Sequence, residues 1–175
     1  LSPMRLASVE LEGSPRSVAL RGGYAWIVVR QPEPAVSGEV VVVDVADAAH
    51  PHVLGTWKER WDQIALVAGG ALLRRGTQVA RVDLDDPLEP RTVALAMLHD
   101  VVSIKHAGPA VVAQLADNGR AIVAPDGPAG PHLTRRLRGG GHRVTDLHAA
   151  GEWLLWGTSA PNSSSDLPKL WHVAR

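Results

Sequence analysis

Cysteine is absent from these 175 residues, which removes disulfides, thiolate metal sites and cysteine nucleophiles together. Phenylalanine is absent too and tyrosine occurs once, so the bulky aromatic volume of a core falls to six tryptophans. Neither charge sign is in excess, since 18 Lys and Arg balance 18 Asp and Glu. That balance argues against a generally nucleic-acid-binding surface and leaves room for a local basic patch. No stretch of eighteen apolar residues reads as a membrane span. No window sustains a 3.6-residue apolar period for three turns, so helices should be scarce. The motifs G-x-S-x-G and H-E-x-x-H and the phosphate-binding loop are also missing.

What is present is repetition. A unit of about forty residues, closing on Asp or Ala, a short turn and Pro, recurs as VVVVDVADAAHPHVLGTW (40–57), VARVDLDDPLEPRTVAL (79–95) and, more weakly, AIVAPDGPAGPHLTRRL (121–137), and a period of this size marks repeat architecture. Upstream of each anchor lie an apolar alternating run, a small-residue turn and a second apolar run: 16–20, Gly22-Gly23 and 24–29; 62–66, Gly69-Gly70 and 71–73; 100–104, Ala107-Gly108 and 110–113; 143–147, Ala150-Gly151 and 152–156. The turn glycines Gly23, Gly70, Gly108 and Gly151 are 47, 38 and 43 residues apart. Segments of five to eight residues rich in Val, Ile, Leu and Trp, bounded by Gly, Pro, Asn and Asp, are strands. Two- to four-residue links require antiparallel pairing.

Four strands per unit and four units predict an all-β chain, a β-propeller of four blades with four antiparallel strands each. The strongest strands are expected at 26–30, 39–45 and 78–84. The fourth unit stops after a third strand at 169–174, while the opening SPMRLASV (2–9) resembles the Pro-led outer strands at 51–57 and 90–95. Residues 6–9 are therefore expected to pair with 170–173, an N-terminal strand (4–11) completing the last blade and leaving no raw edge in one domain of 1–175. At 18.6 kDa the chain is one domain's worth. Only Lys58, Lys105 and Lys169 are lysines, and the Ala, Val, Gly and Arg bias suits a GC-rich bacterial genome. An opening on Leu1 rather than Met suits a cleaved leader or a longer parent.

The stretch SVALRGGYAWIVV followed by GEVVVVDVADAAHPHVLGTW resembles the LVIVD repeat, in which a small-residue turn and an aromatic-rich strand precede a "vvDvsdPanP" strand and turn. Residues 17–57 and 79–95 carry the resemblance; the later copies keep Gly108, Pro131 and Gly151 but have Ala124 and Ala174 where Asp44 and Asp83 stand. The resemblance implies a bacterial propeller of exported, periplasmic or surface proteins, with no shared catalytic set. Asp44 and Asp83 themselves read as turn residues that accept backbone N–H bonds at the corner before the Pro.

Chemistry concentrates where the innermost strands begin. Aligned by their turns, the copies read Pro15-Arg16, Trp61-Asp62, His99-Asp100 and His142-Arg143. Equivalent positions around a ring converge on its axis, so Arg16, Asp62, Asp100 and Arg143 are expected to form mutual ion pairs at the channel mouth, rimmed by Trp61, His99 and His142. A second reading gives His99, His142, Asp62 and Asp100 a divalent metal that activates water, making a propeller hydrolase.

Two surface features complete the inventory. The basic stretch HLTRRLRGGGHR supplies Arg135, Arg136, Arg138 and Arg143 for polyanion binding, although alternation on a strand divides neighbouring Arg side chains between faces. Trp57 and Trp61 flank Lys58-Glu59-Arg60 and are expected to be partly exposed, fit for a protein or carbohydrate partner. The leading function is a non-catalytic binding scaffold without a cofactor, presenting loops on a rigid ring.

Overall fold

A computed structural model describes residues 7–31, 38–107, 110–117 and 119–136, and the backbone of 137, 143–150, 153–159 and 167–172. Every regular element among them is a strand: β1 (Ser14–Arg21), β2 (Tyr24–Arg30), β3 (Gly38–Asp44), β4 (His52–Thr56), β5 (Gln63–Val67), β6 (Gly70–Arg75), β7 (Gln78–Asp83), β8 (Arg91–Met97), β9 (Val101–Ala107), β10 (Ala110–Leu115), β11 (Arg120–Ala124), β12 (His132–Leu137), β13 (Arg143–Ala150), β14 (Trp153–Ser159) and β15 (Leu167–His172). They form four antiparallel meanders, β1-β2-β3-β4, β5-β6-β7-β8, β9-β10-β11-β12 and β13-β14-β15. Three sheets thus have four strands and the last has three. Among the described residues no helix is long and apolar enough to cross a membrane.

The second sheet shows why its sequence reads as almost continuously apolar. Side chains alternate between faces along a strand, and both faces of this sheet are covered. Ile64, Ala71, Leu73, Ala80 and Val82 pack towards the first sheet with Trp26, Val28, Val40, Val42, Trp57 and Trp61. Ala65, Leu72 and Val79 pack towards the third with Val101, Ile104, Val111, Ala113 and Val123. Leu72 and Leu73 are therefore both fully buried, one on each side. Burying each is worth about 1.5–3 kcal/mol against leaving it in water.

The first strands stand side by side, β1 next to β5, β5 next to β9 and β9 next to β13. Two side chains stitch them. Ser17 Oγ donates to Ile64 O at 3.1 Å and lies 3.4 Å from Ile64 N, and Gln63 Oε1 accepts from Ile104 N at 2.8 Å.

Hairpin register fixes which residues correspond between sheets. The β1–β2 turn uses Gly22 and Gly23 at φ 59° and 83°, the double left-handed geometry that suits the twist of a two-residue hairpin. Arg21, Val67, Ala107 and Ala150 are the last paired residues before the four turns. Counting back equally from each brings Arg16, Asp62, Val102 and Thr145 into correspondence. Three of the four, Arg16, Val102 and Thr145, are skipped by the ladder at a β-bulge. The expected quartet is thereby corrected: Asp100 and Arg143 sit two positions upstream of the places equivalent to Arg16 and Asp62.

Ala7–Leu11 carry no strand, and β15 pairs with β14 alone among the described residues. Leu6 and Val173, the ends of the expected terminal pairing, lie outside the described residues.

Candidate functional site

Where the first and second sheets begin, Arg16, Val28, Arg30, Gly38, Asp62, Gln63 and Arg74 line an open cavity of about 440 Å³. Arg16 and Asp62 both line it. They are not each other's partners. Asp62 Oδ2 lies 3.8 Å from Arg74 Nη1 and accepts from Gly76 N at 2.9 Å, and Asp62 N donates to Arg74 O at 2.7 Å. Arg74 reaches onward with Nε to Val101 O at 3.3 Å, joining the second sheet to the third. Burial pushes the Arg74 guanidinium below its ordinary pKa, and the Asp62 carboxylate opposes that shift.

Gly38 is what lets this floor close. A Cβ there would lie 2.7 Å from Val28 Cγ1 and 2.8 Å from Trp61 O, closer than atoms pack, and Trp61 N donates to Gly38 O at 3.0 Å.

The remaining members of the expected ring are dispersed. His99 and Asp100 are exposed in the turn between β8 and β9, where Asp100 O accepts from Ala116 N at 2.8 Å. His142 and the Arg143 side chain lie outside the described residues. Among the described residues no three His, Asp or Glu side chains gather as metal ligands. Arg74, Arg30, Gln63 and Ser17 were not foreseen from sequence. Folding the hairpin about Ala68-Gly69 would have found Arg74, because the same register sets it opposite Gln63.

Trp57 and Trp61 correct the expectation of partial exposure, since each is only 3% exposed. The reason lies in the β4–β5 link, which keeps bonding along β3. Trp57 N donates to Val40 O at 2.9 Å just as Trp61 N reaches Gly38 O, and both rings are drawn between the first two sheets. Trp57 Nε1 donates to Pro87 O at 2.9 Å, and Trp26 Nε1 donates to the same carbonyl at 3.2 Å. The Arg75 guanidinium lies 5.2 Å from the Trp61 ring centre.

A second cleft of about 490 Å³ opens at the outer edge of the same pair of sheets, lined by Gly55 to Glu59 on one side and Leu88, Glu89 and Pro90 on the other. Leu88 and Pro90 give it an apolar lining, and Lys58, Glu59 and Glu89 its charged lining.

Asp44 and Asp83 act as corners. Asp44 Oδ1 accepts from Ala46 N at 2.8 Å and Asp83 Oδ1 from Asp85 N at 3.0 Å. That backbone bond first, then Arg91, holds the Asp83 carboxyl below the usual carboxylate range. In the basic stretch Arg135 and Arg136 are exposed and consecutive on β12, so they take opposite faces, and Arg136 is ion-paired with Asp117. Arg138 lies outside the described residues.

No protein-family model matches the chain, and no curated protein matches it in sequence. Among solved structures it is similar to the N-terminal domain of Nup159, at 11% identity and a TM-score of 0.44 over 90% of this chain and 44% of that one. It is also similar to PorZ, an essential bacterial surface component of the type-IX secretion system of Porphyromonas gingivalis, at 14% identity and a TM-score of 0.49 over 92% of this chain and 21% of that one. The chain thus spans less than half the length of either. The computationally designed Ika4 protein is similar at 12% identity with a TM-score of 0.52, covering 99% of this chain and 100% of that one. That last likeness is one of fold.

Proposed function

We propose that the chain is a non-catalytic binding scaffold, a four-bladed propeller of the LVIVD-repeat type. The serial placement of β1, β5, β9 and β13 supports the ring, and the repeat residues at 17–57 and 79–95 support the family. A partner protein docks in the outer cleft between the first two sheets. The observation that carries this reading is the combination, in one cleft of about 490 Å³, of Leu88 and Pro90 with Lys58, Glu59 and Glu89. An apolar centre with a charged rim is how a protein interface is built. Behind it the two indoles held on Pro87 O make the wall rigid, which lowers the cost of binding.

Selection of peptides from a random library on the intact chain tests this, with counter-selection against Leu88→Arg. Enriched peptides should lose binding to that variant. Peptides that bind both proteins equally would move the interface elsewhere. Turnover of ester, phosphoester or glycoside substrates that requires added Zn²⁺ or Mn²⁺ and is lost in Asp62→Asn would replace the scaffold with a hydrolase.

A further inference from the structure

The mouth cavity has a charge that its own residues leave unbalanced. Among the described residues Arg16, Arg30 and Arg74 line it against one carboxylate, Asp62, so the described lining carries two positive charges more than negative. Asp62 is already committed to Arg74 and Gly76. Arg16 and Arg30 are exposed and have no acceptor among the described residues. Gln63 turns its oxygen to Ile104 N, which leaves the amide's Nε2 as a hydrogen-bond donor. The site is therefore rich in donors and poor in acceptors, with its positive groups set on strand ends.

We infer that this cavity binds a small organic or inorganic dianion, its oxygens held by the Arg16 and Arg30 guanidinium groups and the Gln63 amide, with Arg74 as a fixed positive wall. Guanidinium forks match carboxylate and phosphate oxygens in pairs. A dianion restores neutrality where a monoanion does not. The volume of about 440 Å³ admits a ligand of metabolite size and excludes a folded partner. This site lies at the inner strand ends, away from the outer cleft, so it stands or falls independently of the docking reading.

Calorimetric titration of the intact chain at low ionic strength tests it with three probes: succinate, inorganic phosphate and acetate. One equivalent of succinate or of phosphate should bind, and acetate should bind at least about tenfold more weakly. Arg16→Gln and Arg30→Gln should each weaken the preferred dianion about tenfold, the loss of one charge-assisted bond. Both side chains are exposed and without described partners, so the variants should melt as the parent does. Arg91→Gln, outside the cavity, should bind normally. Preference for succinate identifies a dicarboxylate site and preference for phosphate a phosphate site. The inference is overturned if neither dianion binds saturably at about 10 mM, if acetate binds as well as they do, or if Arg91→Gln weakens binding as much as Arg16→Gln.

Discussion

Arg74 Nη1 stands 3.8 Å from Asp62 Oδ2, and the pair closes the inner end of the β5–β6 hairpin. The guanidinium is 14% exposed and the carboxylate 35%, so the pair is partly shielded from water. Its worth lies between that of a surface bridge and that of a buried one. The carboxylate also caps Gly76 N, so removing it abandons two groups at once.

Asp62→Ala should therefore lower stability by about 1–3 kcal/mol, read from urea unfolding. Asp62→Asn keeps an acceptor for Gly76 and should cost less. If both variants unfold at the parent's midpoint, the pair contributes nothing and Arg74 is held by Val101 O alone.

The Pro87 carbonyl makes Trp26 and Trp57 interdependent. Trp57→Phe removes one donor and should cost about 0.5–1.5 kcal/mol for the hydrogen bond, plus the smaller ring's lost packing. Trp26→Phe leaves the carbonyl served by Trp57. The double variant orphans it, so the two losses should sum to less than the double loss. Strict additivity in a double-mutant cycle would show that the carbonyl takes water instead.

Much of this fold was legible because the chain repeats. Strands expected at 26–30, 39–45 and 78–84 are β2, β3 and β7, and among the described residues the fourth sheet has three strands. The corners at Asp44 and Asp83 followed from turn chemistry alone. Arg16 and Asp62 line one cavity, whereas Asp100 and Arg143 come from aligning turn glycines that hold different places: Gly23 is the second residue of its turn, and Gly70 already opens β6. Trp57 and Trp61 were misjudged for another reason. Their polar neighbours Lys58, Glu59 and Arg60 suggest a loop, but the link goes on bonding to β3 and turns both indoles inward.

Acid should act through the corners. Bonds from Asp85 N and Arg91 keep the Asp83 carboxyl below the usual aspartate range, and the His50 side chain and Ala49 N do the same for Asp47. A carboxyl depressed in the folded state contributes stability above its unfolded pKa, and that stability is lost as pH falls through the folded value. The folded protein should thus lose stability below about pH 4. Asp83→Asn should flatten that part of the profile by lowering stability at neutral pH towards its acid value. An identical acid limb in the variant would assign the loss to other groups.

Gly38→Ala should be among the costliest small substitutions. The added methyl meets Val28 Cγ1 and the Trp61 carbonyl below 3 Å, and the carbonyl belongs to a backbone bridge that cannot swing away without breaking Trp61 N to Gly38 O. Overpacking of this kind costs about 1–3 kcal/mol. Burial of Trp61 should fall with it, seen as a red shift in tryptophan emission. Normal melting with unchanged emission would mean that the β4–β5 link gives way freely.

The stitches between first strands lead to the most local test. Ile104 is buried, and its N–H finds its acceptor on Gln63 of the neighbouring sheet at 2.8 Å. Gln63→Ala leaves that donor without a partner, a loss of about 1–3 kcal/mol, whereas Gln63→Glu keeps an acceptor and should largely rescue it. Ser17→Ala removes a longer pair of contacts to Ile64 and should cost less. Amide hydrogen exchange separates a local stitch from general weakening. In Gln63→Ala the Ile104 amide should exchange faster than the global loss of stability predicts, while Val112, central in β10, should follow the global change. If the two amides shift together, the β5–β9 contact is held by side-chain packing and the hydrogen bond is incidental. If neither shifts, water replaces the amide oxygen in the groove between the two strands, and the sheets are joined there by Arg74 and the apolar layer alone.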